Sequence, residues 1–230
     1  MTLTEKVYKS LRRDIIRGAF RPGSPLRLAD LGERYGMGFS PLREALNRLQ
    51  AEGLVTAESL RGFRVAPLSL AAFEDSLQTR LLIETEALRA SILKGGDDWA
   101  AAIVSTLYAF RLQADRLVDG QAGEADLWEL ETRHHAFHRA LLAACGSDWM
   151  LEFFERLYTA TERYRIPSLT GAAGFGRRDI HAEHAAIADA TLARDTARAE
   201  ELLRQHYLRT AETLRAGLAE TLAETLSEKA

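Results

Sequence analysis

Ser40-Pro-Leu-Arg-Glu-Ala-Leu-Asn-Arg-Leu-Gln-Ala-Glu-Gly53 is the stretch that decides the fold. It reads as a short helix with marked ends. Ser40 is a good N-cap, and Pro41 suits the first helical position, where its missing N–H removes no helix bond. Leu42, Ala45, Leu46 and Leu49 follow the i, i+3, i+4, i+7 spacing of one buried face. Gly53 suits the C-terminal stop. The opposite face carries Arg43 and Asn47, four residues apart, beside Ser40. Side chains of these types near a helix N-terminus reach base edges and phosphates in a DNA major groove. The stretch therefore reads as the recognition helix of a helix-turn-helix.

Outward from it, the pattern extends to residues 1–67. Thr4 caps a first helix running to about Arg17, with Val7, Leu11 and Ile15 inward and Gly18 as its stop. Pro22-Gly23 fits the central positions of a type II turn. A second helix covers about 28–35, with Leu28, Leu31 and Tyr35 inward and Gly36 breaking it. Two short helices joined by a tight Gly-containing turn are the helix-turn-helix signature. After Gly53, two short strands at about 54–58 and 63–66 turn around Arg61-Gly62. Such a hairpin is a wing. Arg61 at its tip is suited to a minor groove or a phosphate, and Gly62 to close backbone approach.

Composition agrees with a DNA-binding head on a second domain. Residues 1–67 hold 12 Lys/Arg against 7 Asp/Glu, whereas 68–230 hold 18 against 26. A basic module joined to an acidic one suggests that the first meets a polyanion, although solvated faces also vary in charge. Cys145 is the single cysteine, so no intrachain disulfide forms, as suits a reducing cytosol. No apolar run reaches membrane-spanning length, and the first residues lack a signal-peptide core. The expectation is a cytoplasmic protein without membrane partners.

The run Tyr35-Gly36-Met37-Gly38-Phe39-Ser40-Pro41-Leu42-Arg43-Glu44-Ala45-Leu46, with Glu52-Gly53-Leu54-Val55, Arg61-Gly62-Phe63 and the upstream Gly18-Ala-Phe-Arg-Pro-Gly-Ser-Pro-Leu26, closely resembles the DNA-binding domain of the GntR family of bacterial transcription regulators. The resemblance implies that Arg43 contacts operator DNA together with polar residues of the preceding turn and the wing tip. Two positions depart from the family pattern. Gly38-Phe39 stands where Ser or Thr followed by Arg is usual, and Ala29 occupies a commonly basic or polar position. The usual base-reading arginine is thus absent at 39, which implies an altered operator or more weight on Arg43, Ser40 and the wing.

Residues 68–230 read as an all-helical bundle of six helices, at about 70–94, 98–119, 124–144, 148–165, 177–193 and 195–226. Pro167–Gly176 is Gly-rich and reads as a mobile loop. All six histidines lie in this part. His134 and His138 share one helix face, as in a divalent-metal half-site, although such pairs also occur as packed core residues. His184 and His206 lie on two later helices, and a bundle is able to bring three helices to one point. His135 points off the shared face, and His181 sits nearer the loop.

Arg80…Glu84…Ala87, Glu131…His134…Phe137-His138-Arg139-Ala140-Leu141, Glu183-His184…Ile187…Ala190 and His206 together resemble the effector domain of the FadR-type GntR subfamily, often called FCD. Six helices point to its smaller, VanR-like branch. The resemblance implies a metal held by His134, His138, His184 and His206, with His134 replacing the usual carboxylate. Four imidazoles favour Zn²⁺, Ni²⁺ or Cu²⁺ over Ca²⁺ or Mg²⁺. It also implies that Arg80 helps hold a small organic acid; the alternative is an Arg80–Glu84 pair on a helix surface. The expected fold is therefore mainly α, a winged helix-turn-helix followed by a six-helix bundle. The expected function is a homodimeric regulator, a repressor, whose operator affinity responds to a carboxylate metabolite bound near the metal. A metal-responsive sensor and a metal-dependent hydrolase, with Glu183 as base, are the alternatives.

Overall fold

The computed structural model describes the backbone of residues 2–58, 62–118, 124–170 and 179–227; side chains at 117–118, 124–125, 166–170 and 216–227 are outside the description. The order of elements is α1 (Leu3–Ile16), β1 (Pro25–Leu26), α2 (Leu28–Tyr35), α3 (Phe39–Ala51), β2 (Val55–Glu58), β3 (Gly62–Val65), α4 (Leu70–Lys94), α5 (Asp97–Val118), α6 (Glu124–Leu142), α7 (Asp148–Thr170), α8 (Ile180–Leu192) and α9 (Thr196–Ser227). The protein is mainly helical, a winged helix-turn-helix followed by an all-helical domain in which α4–α9 are the six helices among the described residues. It divides into two compact units. One comprises Met1–Ser76, Thr159–Gly174 and Thr213–Ala230; the other comprises Leu77–Tyr158 and Phe175–Glu212.

In the first unit, α1 buries Val7, Leu11 and Ile15 as their spacing predicts. Its N-cap is Thr2, not Thr4: the Thr2 hydroxyl accepts from the Glu5 N–H at 3.1 Å. Thr4 instead donates to Glu44 at 3.1 Å. Asp14 fastens α1 to α2. Its buried carboxylate accepts from the Tyr35 hydroxyl at 2.7 Å and from Arg34 at 2.9 Å. Tyr8 ties α1 to the end of α3 by donating to Glu52 at 2.6 Å, with Arg48 lying 3.7 Å over its ring. Burial, with the hydrogen bond to Glu52 and its charge, pushes the Tyr8 hydroxyl up to about 12.

The recognition helix starts earlier than the sequence suggests. Gly38 is the N-cap of α3 and makes no side-chain cap bond, so Ser40 is not the cap but the second helical residue. Pro41 falls third. The first turn of a helix has no partners for its N–H groups, so proline is tolerated there as well. The apolar face is as expected: Leu42, Ala45, Leu46 and Leu49 are all fully buried. The turn between α2 and α3 requires Gly36, whose φ of 63° and ψ of 37° are left-handed.

The wing is a three-stranded sheet in the order β1-β3-β2, both pairings antiparallel, with Leu26 opposite Phe63 and Ala57 opposite Phe63 on the other side. Strand β1 has only two residues, too few for alternation to reveal it. Gly62 opens β3 with a φ of 81°, while Arg61 lies outside the described residues.

The rest of this unit is held by the C-terminal part of α7. Glu162, buried, pairs with Arg12 of α1 at 2.5 Å. Arg163 donates to the Ala66 carbonyl at 3.1 Å and the Pro67 carbonyl at 2.5 Å. Tyr164 donates to the Ser69 carbonyl at 3.3 Å and packs 5.1 Å from Phe73. Helix α7 runs to Thr170, so residues 167–170 of the expected loop are helical and 171–176 lie outside the described residues.

In the second unit, the turn after α4 is closed by Arg194, which donates to the Ile92 carbonyl at 2.5 Å and the Gly95 carbonyl at 2.6 Å. Trp99 packs so closely on Gly95 that its ring leaves no room for a Cβ there. The Trp99 indole donates to the Ala140 carbonyl of α6 at 2.8 Å. Phe110, Ala114 and Leu130 form an apolar cluster beneath the histidines.

Candidate metal centre and DNA-reading helix

Four histidines from three helices converge in the second unit. His134 and His138 come from α6, His184 from α8 and His206 from α9. One candidate ligand atom from each lies within 4.8 Å of all the others. His138 Nε2 is 3.1 Å from His134 Nε2 and 3.2 Å from His184 Nε2. Their burial is deep: His138, His184 and His206 are at most 5% exposed. Phe110 closes one side, its ring 4.8 Å from that of His184 and 5.5 Å from that of His134.

The outer nitrogens decide what the inner ones do. His184 Nδ1 faces the Ile180 carbonyl at 2.7 Å, so it donates. His206 Nδ1 faces the Glu183 carboxylate at 3.0 Å and also donates; Glu183 in turn accepts from Arg209 at 3.3 Å. His134 Nδ1 meets the Tyr158 hydroxyl at 2.8 Å, and Tyr158 gives its own proton to Glu131 in a short hydrogen bond. His138 Nδ1 meets the Tyr207 hydroxyl at 3.2 Å, and Tyr207 gives its proton to Glu84. Each tyrosine therefore accepts from its histidine. With Nδ1 turned outward in each ring, Nε2 is the nitrogen left to face the other histidines.

In a buried site, ring nitrogens packed at 3.1–3.2 Å are costly unless a proton or a cation is shared among them. A single cation with bonds of about 2.0–2.1 Å to imidazole nitrogen answers that arrangement. The donor set fits an imidazole-seeking divalent ion, and each ligand has the outer partner that metal-bound histidines characteristically have. The other two histidines stand apart. His135 pairs with Glu155 at 2.7 Å, and His181 lies 3.9 Å from Asp115.

Arg80 is buried rather than on a helix surface, and it pairs with Glu84 through Nε at 2.6 Å and a terminal nitrogen at 3.3 Å. Its guanidinium lies 4.4 Å over the ring of Tyr207 and 5.6 Å over that of Tyr158. Sequence reasoning missed both tyrosines. The available signal was Glu131, one turn before His134, and Tyr207 directly after His206. An aromatic hydroxyl becomes a link only when packing brings it between carboxylate and imidazole.

In the first unit, Ser40, Arg43 and Asn47 are all exposed on α3. Phe39 stands at the head of the same helix, 61% exposed.

Comparison with known proteins gives the family. Residues 3–65 match the family described as bacterial regulatory proteins, gntR family, and residues 75–209 match the FCD domain. The HTH-type transcriptional repressor GlaR of Escherichia coli is 41% identical over 90% of this chain and 94% of its own. The HTH-type transcriptional regulator BphR of Paraburkholderia xenovorans is 40% identical over 89% of this chain and 82% of its own. Among solved structures, E. coli McbR/YncC shares the fold, with a TM-score of 0.70 over 98% of this chain and 99% of its own at 19% identity. These relatives are named transcriptional regulators, not enzymes, and among the described residues no helix is long and apolar enough to cross a membrane. The chain belongs to the GntR family of bacterial regulatory proteins, with a DNA-binding helix-turn-helix joined to an FCD domain.

Proposed function

We propose that this regulator is a homodimeric repressor of the FadR-type, VanR-like branch, acting in the cytoplasm and released from its operator by a small carboxylate metabolite. Residues 1–67 form the DNA-binding domain and 68–230 the effector domain. Ser40, Arg43 and Asn47 of the recognition helix, with Arg61 and Gly62 of the wing, contact the operator. Two such heads read the halves of a roughly palindromic site. His134, His138, His184 and His206 hold a divalent transition metal, Zn²⁺ by preference, with Ni²⁺ compatible. The metal supplies a fixed positive centre for an anionic ligand. Arg80 helps hold the carboxylate, supported by its burial against Tyr158 and Tyr207, the two side chains that back His134 and His138. The incoming carboxylate shares the guanidinium with Glu84. The repressor sense rests on GlaR, which is named a repressor.

The observation that carries this reading is the convergence of four histidines, each with one candidate ligand nitrogen within 4.8 Å of the others. One specific feature favours a second reading, a sensor whose signal is the ion itself: Glu84 already occupies Arg80. Purified protein separates the two. Elemental analysis should give about one transition-metal ion per chain and close to none in His138→Ala. DNA selected from a random pool should then be released by one of a panel of short mono- and dicarboxylic acids while metal stays bound. Release on metal addition or removal alone, with every acid inert, supports the sensor. Wild-type protein that purifies and stays metal-free in added Zn²⁺ sinks both.

A further inference from the structure

The head presents one side chain that neither a folded core nor a phosphate contact explains. Among the described residues of 1–67, the exposed large hydrophobics are Leu3 and Phe39. Leu3 opens α1, whereas Phe39 opens the recognition helix, the residue 61% exposed. The residues sharing its face follow from helical spacing. Phe39, Arg43 and Asn47 stand at i, i+4 and i+8, all exposed, along the edge of the buried stripe of Leu42, Leu46 and Leu49.

The ring is also braced. It lies against Gly32 of α2, where an added methyl would sit 3.9 Å from Phe39 Cε1 and 3.2 Å from the Met37 carbonyl. The ring edge thus comes within ordinary contact range of α2, while the tight approach at 32 is that of the Met37 carbonyl. Packed against one helix and open on its other side, the ring is presented rather than loose.

A face made of one aromatic ring, one guanidinium and one amide has a definite complement in a major groove. Arginine matches the acceptor pair of guanine or a phosphate, and asparagine matches adenine. A phenyl ring neither donates nor accepts hydrogen bonds. What it distinguishes among base edges is an apolar group, and the C5-methyl of thymine is the one that unmodified DNA offers there.

We propose that Phe39 is a specificity-determining residue that reads a thymine methyl in each operator half-site. The proposal rests on the DNA-reading role of α3 and not on the metal or the effector. The rise from residue 39 to 43 is about 6 Å along the helix. That is close to two base-pair steps of about 3.4 Å. The thymine therefore lies about two base pairs from the base or phosphate met by Arg43. A chain with this residue selects an operator with an A·T pair where an arginine would select guanine.

The test uses the full-length protein and does not require its target genes to be identified. Duplexes are selected from a random-sequence pool, and each thymine of the consensus is replaced singly by deoxyuridine, which lacks only the methyl. Wild-type protein should lose about fourfold in affinity at one thymine per half-site, the equivalent of one buried methyl group. Phe39→Ala should bind thymine and uracil duplexes alike at that position, and its own selected consensus should lose the preference there. Phe39→Arg should shift the position toward guanine. Because the side chain is exposed, thermal melting confirms that the variants remain folded. Uracil tolerated within the error at every thymine overturns the proposal. So does a uracil penalty that survives in Phe39→Ala, or a consensus without thymine in the half-sites.

Discussion

At the scale of single residues, the histidine cluster is set by partners one bond further out. Tyr158 and Tyr207 fix the Nδ1–H form of His134 and His138 because each gives its own proton to a buried carboxylate. Removing either hydroxyl frees the ring to rotate or change tautomer. Tyr158→Phe and Tyr207→Phe should each weaken metal binding by about 10–100-fold while the fold persists. Competition with a chromophoric chelator measures this, and a bound Co²⁺ probe should show an altered visible spectrum. On the reading helix, Arg43→Ala distinguishes two roles. If Arg43 grips phosphate, the slope of log affinity against log salt falls by about one per head; if it reads a base, selectivity at one position relaxes. The same residues show what a sequence discloses at this scale. Spacing made His134 and His138 legible as a pair on one helix face, and the family resemblance added His184 and His206 to the set. Tyr158 and Tyr207 were not, because nothing in their local pattern separates a hydroxyl aimed at an imidazole from a packed core aromatic.

At the scale of elements, helix α3 was legible from its apolar spacing, and its start was not. Ser40 carries the expected cap chemistry, yet the chain already turns helical at Phe39, because Gly38 adopts the extended cap conformation without a side-chain bond. Local capping preference yields to the fixed turn after Gly36. Strand β1 escaped for a different reason: two residues become a strand only through pairing with β3, a long-range event. The α1–α3 contact gives a pH prediction. Native Tyr8 keeps its proton to about pH 12, whereas an unfolded tyrosine releases it near 10.0. The native state thus binds the proton more tightly. Its contribution is fully present below about pH 10 and is lost as pH rises toward 12. Tyr8→Phe should melt at a lower temperature near neutrality but decline less steeply between those values, as calorimetry across pH would record. In the helix core, Leu46→Ala should destabilise the head by about 2–5 kcal/mol, read from urea unfolding.

At the scale of the whole molecule, sequence divided the chain into a basic head and an acidic helical part, and charge and periodicity were enough for that. What they did not reveal is that single helices serve both compact units. Helix α7 is the clearest case. Tyr158 hydrogen-bonds His134, and Glu162, one helical turn later, pairs with Arg12 of α1. Helix α7 thus carries a hydrogen-bond partner of His134 and, one turn on, an ion-pair partner of Arg12. Glu162→Gln should leave metal stoichiometry unchanged while reducing the difference in operator affinity between metal-loaded and metal-stripped protein, as fluorescence anisotropy on both forms would show. An unchanged difference would place the coupling elsewhere. The tight spacing along α7 bears on how such regulators diversify. On the proposed reading, signal input and mechanical output sit within a heptad, so substitutions at about residues 159–164 should retune the strength of a response while sparing both the groove-reading surface and the histidines with their hydroxyl partners. A lineage is free to inherit its target genes unaltered and still rewrite how sharply it answers.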